Sequence, residues 1–415
     1  MKFEAYEFVP GLIKGISELG FKRPTDIQYK SIPSILRGED VLAVAQTGTG
    51  KTAAFAIPII NILHERKKRE RRPDGIKCIV MVPTHELAMQ LTEVFNQIGK
   101  YTQVRTFGIY GGVDQDPQIA RLHERVDILI ATPGRMFDLI AQGHLQVHRV
   151  EILILDEADH MLDLGFIKDI RDMTAKLPKR RQTLFFSATI NKRIKQLAYS
   201  LIHQDAIRIQ ISPKDPVSKN VDHAVVFVEM DDKRFFLERL IQENPDSKIL
   251  VFVRTKVRAE RVAKAMDRVD IRSKTIHSGK EQAARTHVLE QFRSGEIQVL
   301  IATDVSARGI DIPDVEYVVN YDLPTDKAEN YVHRIGRTGR AKKRGQAVSF
   351  CSKEERKYLE EIEQFINNKI EVIAISTSEY KDTILFSDNS DLSTIIQAID
   401  EMEDRSRKKK KKRKN

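Results

Sequence analysis

Short apolar runs recur in two series along this 415-residue chain, and each breaks off into glycine, hydroxyl or charged residues. Between residue 40 and about residue 210 the runs are DVLAVA, KCIVMVPT, DILIATP, EILILD, QTLFFSAT and AIRIQI. After residue 220 they are AVVFVEM, KILVFVRT, SKTIHS, IQVLIATD, EYVVNYD and QAVSFCS. Helical stretches fill the intervals. Continuous apolar runs of this length suit strands covered on both faces, and their alternation with helices is the rhythm of parallel βα units. The expected class is therefore α/β, with two tandem domains, each a mostly parallel sheet flanked by helices. Length agrees, because a single core seldom grows past roughly 250–300 residues. The segment SPKDPVSKN, with two prolines and little apolar content, reads as a linker. The expected division is 1–211, a linker at 212–220, 221–375, an extension at 376–404 and a basic tail at 405–415.

Open α/β sheets bind ligands beyond the carboxyl ends of their strands. The run DVLAVA leads into Gln46, Thr47, Gly48, Thr49, Gly50, Lys51 and Thr52, followed by the helical AAFAIPII. Glycines let backbone N–H groups approach phosphate oxygens, a lysine neutralises the terminal phosphates, and a threonine hydroxyl at the helix start can ligate Mg²⁺. This is the P-loop arrangement, with Ala45 where its first glycine usually stands. A phosphate cradle needs a carboxylate on a neighbouring strand, and EILIL delivers Asp156, Glu157, Ala158 and Asp159. Asp156 is placed to help hold the metal and Glu157 to polarise an attacking water. ATP and Mg²⁺ are the expected cofactors. Gln28 matches the N6 donor and N7 acceptor of adenine, and Phe21 can stack on the base. Arg337 and Arg340, three apart on an expected helix, share one face and fit a pair of arginine fingers.

The remaining strings fall in the order of the DEAD-box RNA helicases, which the chain resembles from residue 3 to about residue 370. Phe3, Gly20, Phe21 and the string Pro24, Thr25, Asp26, Ile27, Gln28 resemble the Q motif; the segment 45–52 resembles motif I, including its alanine. The DEAD string at 156–159 is similar to motif II, and Ser187, Ala188, Thr189 to motif III. On the RNA side, Pro83, Thr84, Gly112, Thr132, Gly134 and Arg135 carry the resemblance in the first half. Arg254, Gly279 and Thr303 carry it in the second. Gln282 with Arg285, the string ARGID around Asp311, and YVHRIGRTGR at 331–340 complete the set.

The resemblance implies two RecA-like domains closing on ATP·Mg²⁺ and single-stranded RNA, bacterial in type. Asp311 would touch the ribose, and His333 would couple closure to Ser187 and Thr189. Such a chain separates strands locally and remodels ribonucleoprotein as a monomer, with ribosomal precursors or mRNA complexes as the assemblies in view. An ATP-gated RNA clamp that hardly unwinds, or a DNA helicase of the same superfamily, would carry the same motifs. Two positions depart from the pattern: His85 stands where motif Ia has arginine, and the glycine of IHSGK is displaced by one place, which puts RNA affinity in question.

Composition adds limits. No apolar run approaches the roughly 20 residues that span a bilayer, and the start MKFEAYEFVPG lacks a signal peptide's blocks, so a cytoplasmic protein is expected. Cys78 and Cys351 have no metal-ligand spacing and read as buried thiols. The net charge is +10, but nine of the last eleven residues are Lys or Arg, so the body is close to neutral. That tail reads as a sequence-blind RNA anchor. The basic stretch at 64–75 reads as a solvated surface loop.

Overall fold

The computed structural model describes residues 2–46, 48–69, 75–211, 217–307, 312, 315–339 and 344–387. Thr47, Asp311, Arg340, most of the linker, the end of the 376–404 extension and the tail lie outside the described residues.

In the first half the strands are β1 (Val41–Ala45), β2 (Cys78–Met81), β3 (Thr106–Ile109), β4 (Ile128–Ala131), β5 (Ile152–Leu155), β6 (Gln182–Ser187) and β7 (Ile207–Ile211). They form one seven-stranded sheet in the order β3-β4-β2-β5-β6-β1-β7. The second half repeats the plan with β8 (Val221–Phe227), β9 (Ile249–Phe252), β10 (Ser273–Ile276), β11 (Val299–Ala302), β12 (Tyr317–Asn320), β13 (Gly345–Cys351) and β14 (Glu371–Val372). Its order is β10-β11-β9-β12-β13-β8-β14. The pairings within both sheets are parallel.

Parallel strands need crossover helices, and these cover both faces. Alternate residues of one strand therefore enter different cores. Val41, Ala43 and Ala45 pack with the amino-terminal helices, whereas Leu42 packs with Leu129, Leu153 and Phe185 on the other face. The second sheet divides the same way, with Leu250 and Phe252 on one side and Val251 and Val253 on the other. Cys78 and Cys351 are both free and buried.

Helices Pro10–Glu18 and Asp26–Leu36 precede the first sheet and lie against helix Lys51–Arg69. At the far end, helix Arg356–Ile366 closes the second core, and helix Thr377–Ser387 packs on helix Lys233–Glu243. There the Tyr380 hydroxyl donates to Asp232 at 2.8 Å and accepts from the Glu229 N–H at 3.0 Å. Among the described residues, no helix is long and apolar enough to cross a membrane.

Candidate active site and RNA face

The chain turns after β1 into helix Lys51–Arg69, and a neighbouring helix fixes that turn. Thr25 and Gln28 form a reciprocal capping box on helix Asp26–Leu36, with the Thr25 N–H donating to Gln28 Oε1 at 3.0 Å. Gln28 Nε2 then donates to the Gly50 carbonyl at 3.1 Å. Gly50 has φ of +89°, and a Cβ there would meet Gln28 Nε2 at 2.5 Å, so this glycine is required on two counts. Gln28 is buried, yet each end of its amide keeps one unused hydrogen-bonding position. Phe21 remains exposed and lies beside Phe3, with ring centroids 6.5 Å apart.

Lys51 is buried and donates to the Ala45 carbonyl at 2.7 Å, which ties the helix start to the strand end. Thr49 Oγ1 closes the loop on the Gln46 carbonyl at 2.7 Å. Gly50, Thr49 and Lys51 are thus each tied to neighbouring chain, with the half-buried Thr52 next in the helix.

Beyond β5 the backbone passes through Glu157 in the left-handed region, with φ of 51°, before helix Ala158–Asp163. A non-glycine residue there carries backbone strain, a feature concentrated at functional sites. Asp156 is buried, and that burial, with the adjacent Glu157 charge, raises its carboxyl to about 7 despite Lys51. Burial also acts to raise Glu157, but His160, Lys51 and Arg337 together outweigh it and hold that group at about 2. His160 Nδ1 stands 3.5 Å from Glu157 Oε2. Asp159 serves a different neighbour: its Oδ2 accepts from the Thr189 N–H at 3.0 Å and from Thr189 Oγ1 at 3.1 Å. Ser187 Oγ is buried with no partner among the described residues.

The second half supplies the opposite wall. Helix Glu329–Ile335 is anchored by Arg334, which grips Asp304 through two bonds of 2.5 and 2.6 Å and also reaches Asn320 and the Asp322 carbonyl. Arg334 is therefore a buried strut that fixes the helix end. Arg337 lies past the helix end, since the helix stops at Ile335 with Gly336 as its cap, so the helix expected to carry it does not; it donates through Nε to the His333 carbonyl at 3.1 Å. A cleft between the halves is lined by Glu157, His160, Thr189, His333 and Arg337. Lys327 pairs with Asp163 across it.

The other expected contact residues gather elsewhere. Pro83 and Thr84 follow β2, Gly112 follows β3, and Thr132, Gly134 and Arg135 follow β4. Arg254 follows β9, Gly279 follows β10, and Thr303 follows β11. These strands are three neighbours at one side of each sheet, whereas in the first sheet the residues expected to meet nucleotide follow β1 and β5, in its other part. Several members are already bonded within the protein: Thr84 Oγ1 caps helix His85–Ile98, Arg135 donates to the Val113 carbonyl at 2.7 Å, and Arg254 donates to Glu355 at 3.0 Å. Gly134 is exposed, and a Cβ built there meets nothing within 4 Å.

The DEAD/DEAH box helicase family model matches residues 25–197, and the helicase conserved C-terminal domain matches residues 232–342. The ATP-dependent RNA helicase RhlB of Shewanella frigidimarina is 40% identical over 374 residues, covering 89% of this chain and 86% of that protein. The chain belongs to the DEAD-box helicase family. A longer relative, the ATP-dependent RNA helicase RhlB of Xanthomonas oryzae pv. oryzae, is 39% identical over 379 residues, and this chain spans 90% of itself but 66% of that protein. Among solved structures, S. cerevisiae Dbp5 bound to RNA and ADP BeF3 superposes with a TM-score of 0.80 at 29% identity, over 93% of this chain and 98% of the other. Both sheets of this DEAD-box chain thus belong to the tandem RecA-like architecture.

Some working parts of this DEAD-box site escape a reading of the sequence. His160, three residues beyond Glu157 on a helix, sits against its carboxylate, and only that spacing hints at the contact. Arg334 looks like one more cation in a basic string until Asp304, thirty residues earlier in sequence, is seen to hold it. The stretch expected as a loop at 64–75 instead begins as the last turns of helix Lys51–Arg69, where His64 is buried and the cations pair with acids, Arg66 on Glu151 and Lys67 on Asp127.

Proposed function

We propose that this chain is an RNA-dependent ATPase that separates short RNA duplexes and remodels ribonucleoprotein locally. The observation that carries the reading is the meeting of Glu157 and Arg337 across the cleft, with Lys51 behind the same carboxylate. Nucleotide phosphates entering the cradle would replace the Ala45 carbonyl as the partner of Lys51, and adenine would use the free positions of Gln28 with Phe21 on its face. Thr47, Asp311 and Arg340 complete the nucleotide set by resemblance. Asp156 and Thr52 offer the hard oxygen donors that Mg²⁺ prefers, and the raised carboxyl of Asp156 marks a buried acid short of positive charge. Bound there, the ion would neutralise phosphate charge.

Glu157 stays ionised at neutral pH and accepts a hydrogen bond from the attacking water. Its proton affinity rises as Arg337 turns from it toward the transferring phosphoryl group, because the guanidinium then stabilises charge elsewhere. His333 and Arg337 share one helix end, so closure, Thr189 and hydrolysis move together. RNA would lie along the β3-β4-β2 and β10-β11-β9 sides, held through its backbone by hydroxyls, N–H groups and arginines. The chain is proposed to act as a cytoplasmic monomer on sequence-unrelated RNA, with the 405–415 tail as an anchor.

Measuring ATP turnover with RNA, with DNA and without nucleic acid, alongside unwinding of a short duplex, tests this reading. RNA should stimulate turnover strongly and DNA little; turnover indifferent to RNA would end it. Gly134→Leu gives a sharper check. Leucine is about 1 kcal/mol better than glycine in a helix, and a Cβ at this exposed position meets nothing within 4 Å, so thermal stability should hold or rise. RNA affinity should nevertheless fall about tenfold, because the new side chain fills the space the backbone needs. Unchanged RNA affinity would remove Gly134 from the RNA face.

A further inference from the structure

His85 opens helix His85–Ile98, and Gln282 opens helix Gln282–Ser294, in opposite halves of the chain. Their side chains meet at 2.9 Å, His85 Nδ1 to Gln282 Oε1. Gln282 Nε2 donates to Glu86 Oε1 at 3.0 Å, and Glu86 also takes Arg285 at 2.7 Å. Arg285 further donates to Gln282 Oε1 at 3.2 Å. Gln282 and Glu86 are both buried.

The hydrogen-bond directions in this ring are determined. Gln282 gives its amide protons to a carboxylate, so its Oε1 is a pure acceptor, and it already receives Arg285. His85 must therefore donate, which fixes a proton on Nδ1. The bond exists only while the two halves are together, because its partners lie 197 residues apart on helices of different halves. Tyr110 flanks the imidazole with ring centroids 5.9 Å apart, and a Cβ at Gly112 would come within 3.2 Å of His85 Cε1, so the ring is confined.

We propose that His85 is a positioning residue for closure: its Nδ1–H bond to Gln282 latches the halves together on the RNA side of the cleft. An arginine at this place would bring a second guanidinium toward Arg285; histidine supplies the donor without that charge. In this chain closure thus draws part of its stability from a protein–protein bond at the RNA side. The inference rests on the RNA-dependent reading above for its kinetic consequence, and on geometry alone for its structural one.

The experiment compares His85→Ala, His85→Asn, His85→Gln, Gln282→Ala and the double variant His85→Ala/Gln282→Ala in the full chain. Asparagine places an amide nitrogen where Nδ1 sits, whereas glutamine reaches further, toward the Nε2 position. A buried neutral hydrogen bond corresponds to about a three- to tenfold change in the closure equilibrium. His85→Ala and His85→Gln should raise the RNA concentration for half-maximal ATPase about three- to tenfold, with turnover at saturating RNA within about twofold of the parent. His85→Asn should restore the parent value within about twofold. The double variant should be no worse than the poorer single variant, since one bond is removed once. Asparagine behaving like alanine, or losses that multiply in the double variant, would overturn the latch.

Closure is read separately by fluorescence energy transfer between dyes on the two halves, using a non-hydrolysable ATP analogue alone and with RNA. The latch predicts a smaller closed fraction for His85→Ala in both conditions and recovery for His85→Asn. Equal closed fractions for parent and alanine variants would also overturn it. A parent that closes but shows no RNA stimulation would instead refute the functional reading and leave this comparison intact. Thermal melting of every variant separates a fold defect, which asparagine would not selectively repair, from the loss of one bond.

Discussion

Replacing Glu157 with glutamine is expected to lower ATP turnover by about two to three orders of magnitude while nucleotide and RNA binding persist. The substitution keeps shape and removes charge, so Lys51 and the glycine loop retain their bonds to the chain. What disappears is the group that accepts a proton from water, a contribution commonly about 10²- to 10⁴-fold. A second effect adds to it. Glu157 is one of the anionic groups facing Arg337, and its charge is stabilised by His160, Lys51 and Arg337 against burial. Neutral glutamine frees Arg337 to stay on the phosphates, so the closed, RNA-bound state should last longer. Single-turnover hydrolysis and the lifetime of the RNA complex measure both effects. Turnover within threefold of the parent would reject Glu157 as the proton acceptor. The depressed value of about 2 also has a sign: relative to the ordinary 4.5, this carboxylate stabilises the fold above pH 4.5, and that contribution is lost as pH falls toward 2. Acid inactivation between pH 5 and 7 would therefore have another source.

The strands were legible because parallel strands buried on both faces must be apolar throughout, as in ILIL and VLIA. Strand β3 was not, since it is half-covered at the sheet edge and carries Gly108 where Thr92 Oγ1 leaves no room for a Cβ. Helix Thr377–Ser387 also escaped. It docks through the Tyr380 hydroxyl and through Thr383, which takes a bond from Arg239 at 2.7 Å, so no apolar stripe announces it. Motif residues were visible as strings, but their gathering beyond three neighbouring strands at one side of each sheet depends on strand order, which sequence order hides. His85 illustrates the same limit. Its departure from the family pattern suggests a weaker grip on RNA, whereas its contact with Gln282 is a property of two helix starts that only folding brings together.

The largest effect on stability is expected at Glu355, far from any reacting group. Lys233 is completely buried, and Glu355 is its ion-pair partner; Lys233 also donates to the Tyr321 carbonyl at 2.7 Å. Asp322 lies 3.8 Å away and is shared with Arg258 at 3.2 Å. Glu355 in turn accepts from Arg254 at 3.0 Å and from the N–H groups of Ser352 at 3.1 Å and Leu323 at 3.3 Å. Removing one member of a buried pair leaves the other charge unsolvated, which costs about 3–5 kcal/mol, more than the pair itself contributes. Glu355→Ala should therefore destabilise the second half by about that amount. Lys233→Met should cost less, because Glu355 keeps Arg254 and two backbone donors, and methionine fills the lysine's apolar volume. Denaturant unfolding followed in the second half gives the comparison, and equal losses for the two variants would contradict this division of hydrogen bonds. A functional difference should accompany it. Arg254 loses its anchor only in the glutamate variant, so RNA affinity measured well below the unfolding transition should fall for Glu355→Ala and hold for Lys233→Met. That asymmetry arises from where the charges lie: one carboxylate, almost fully buried, joins the second core to a side chain of the proposed RNA face.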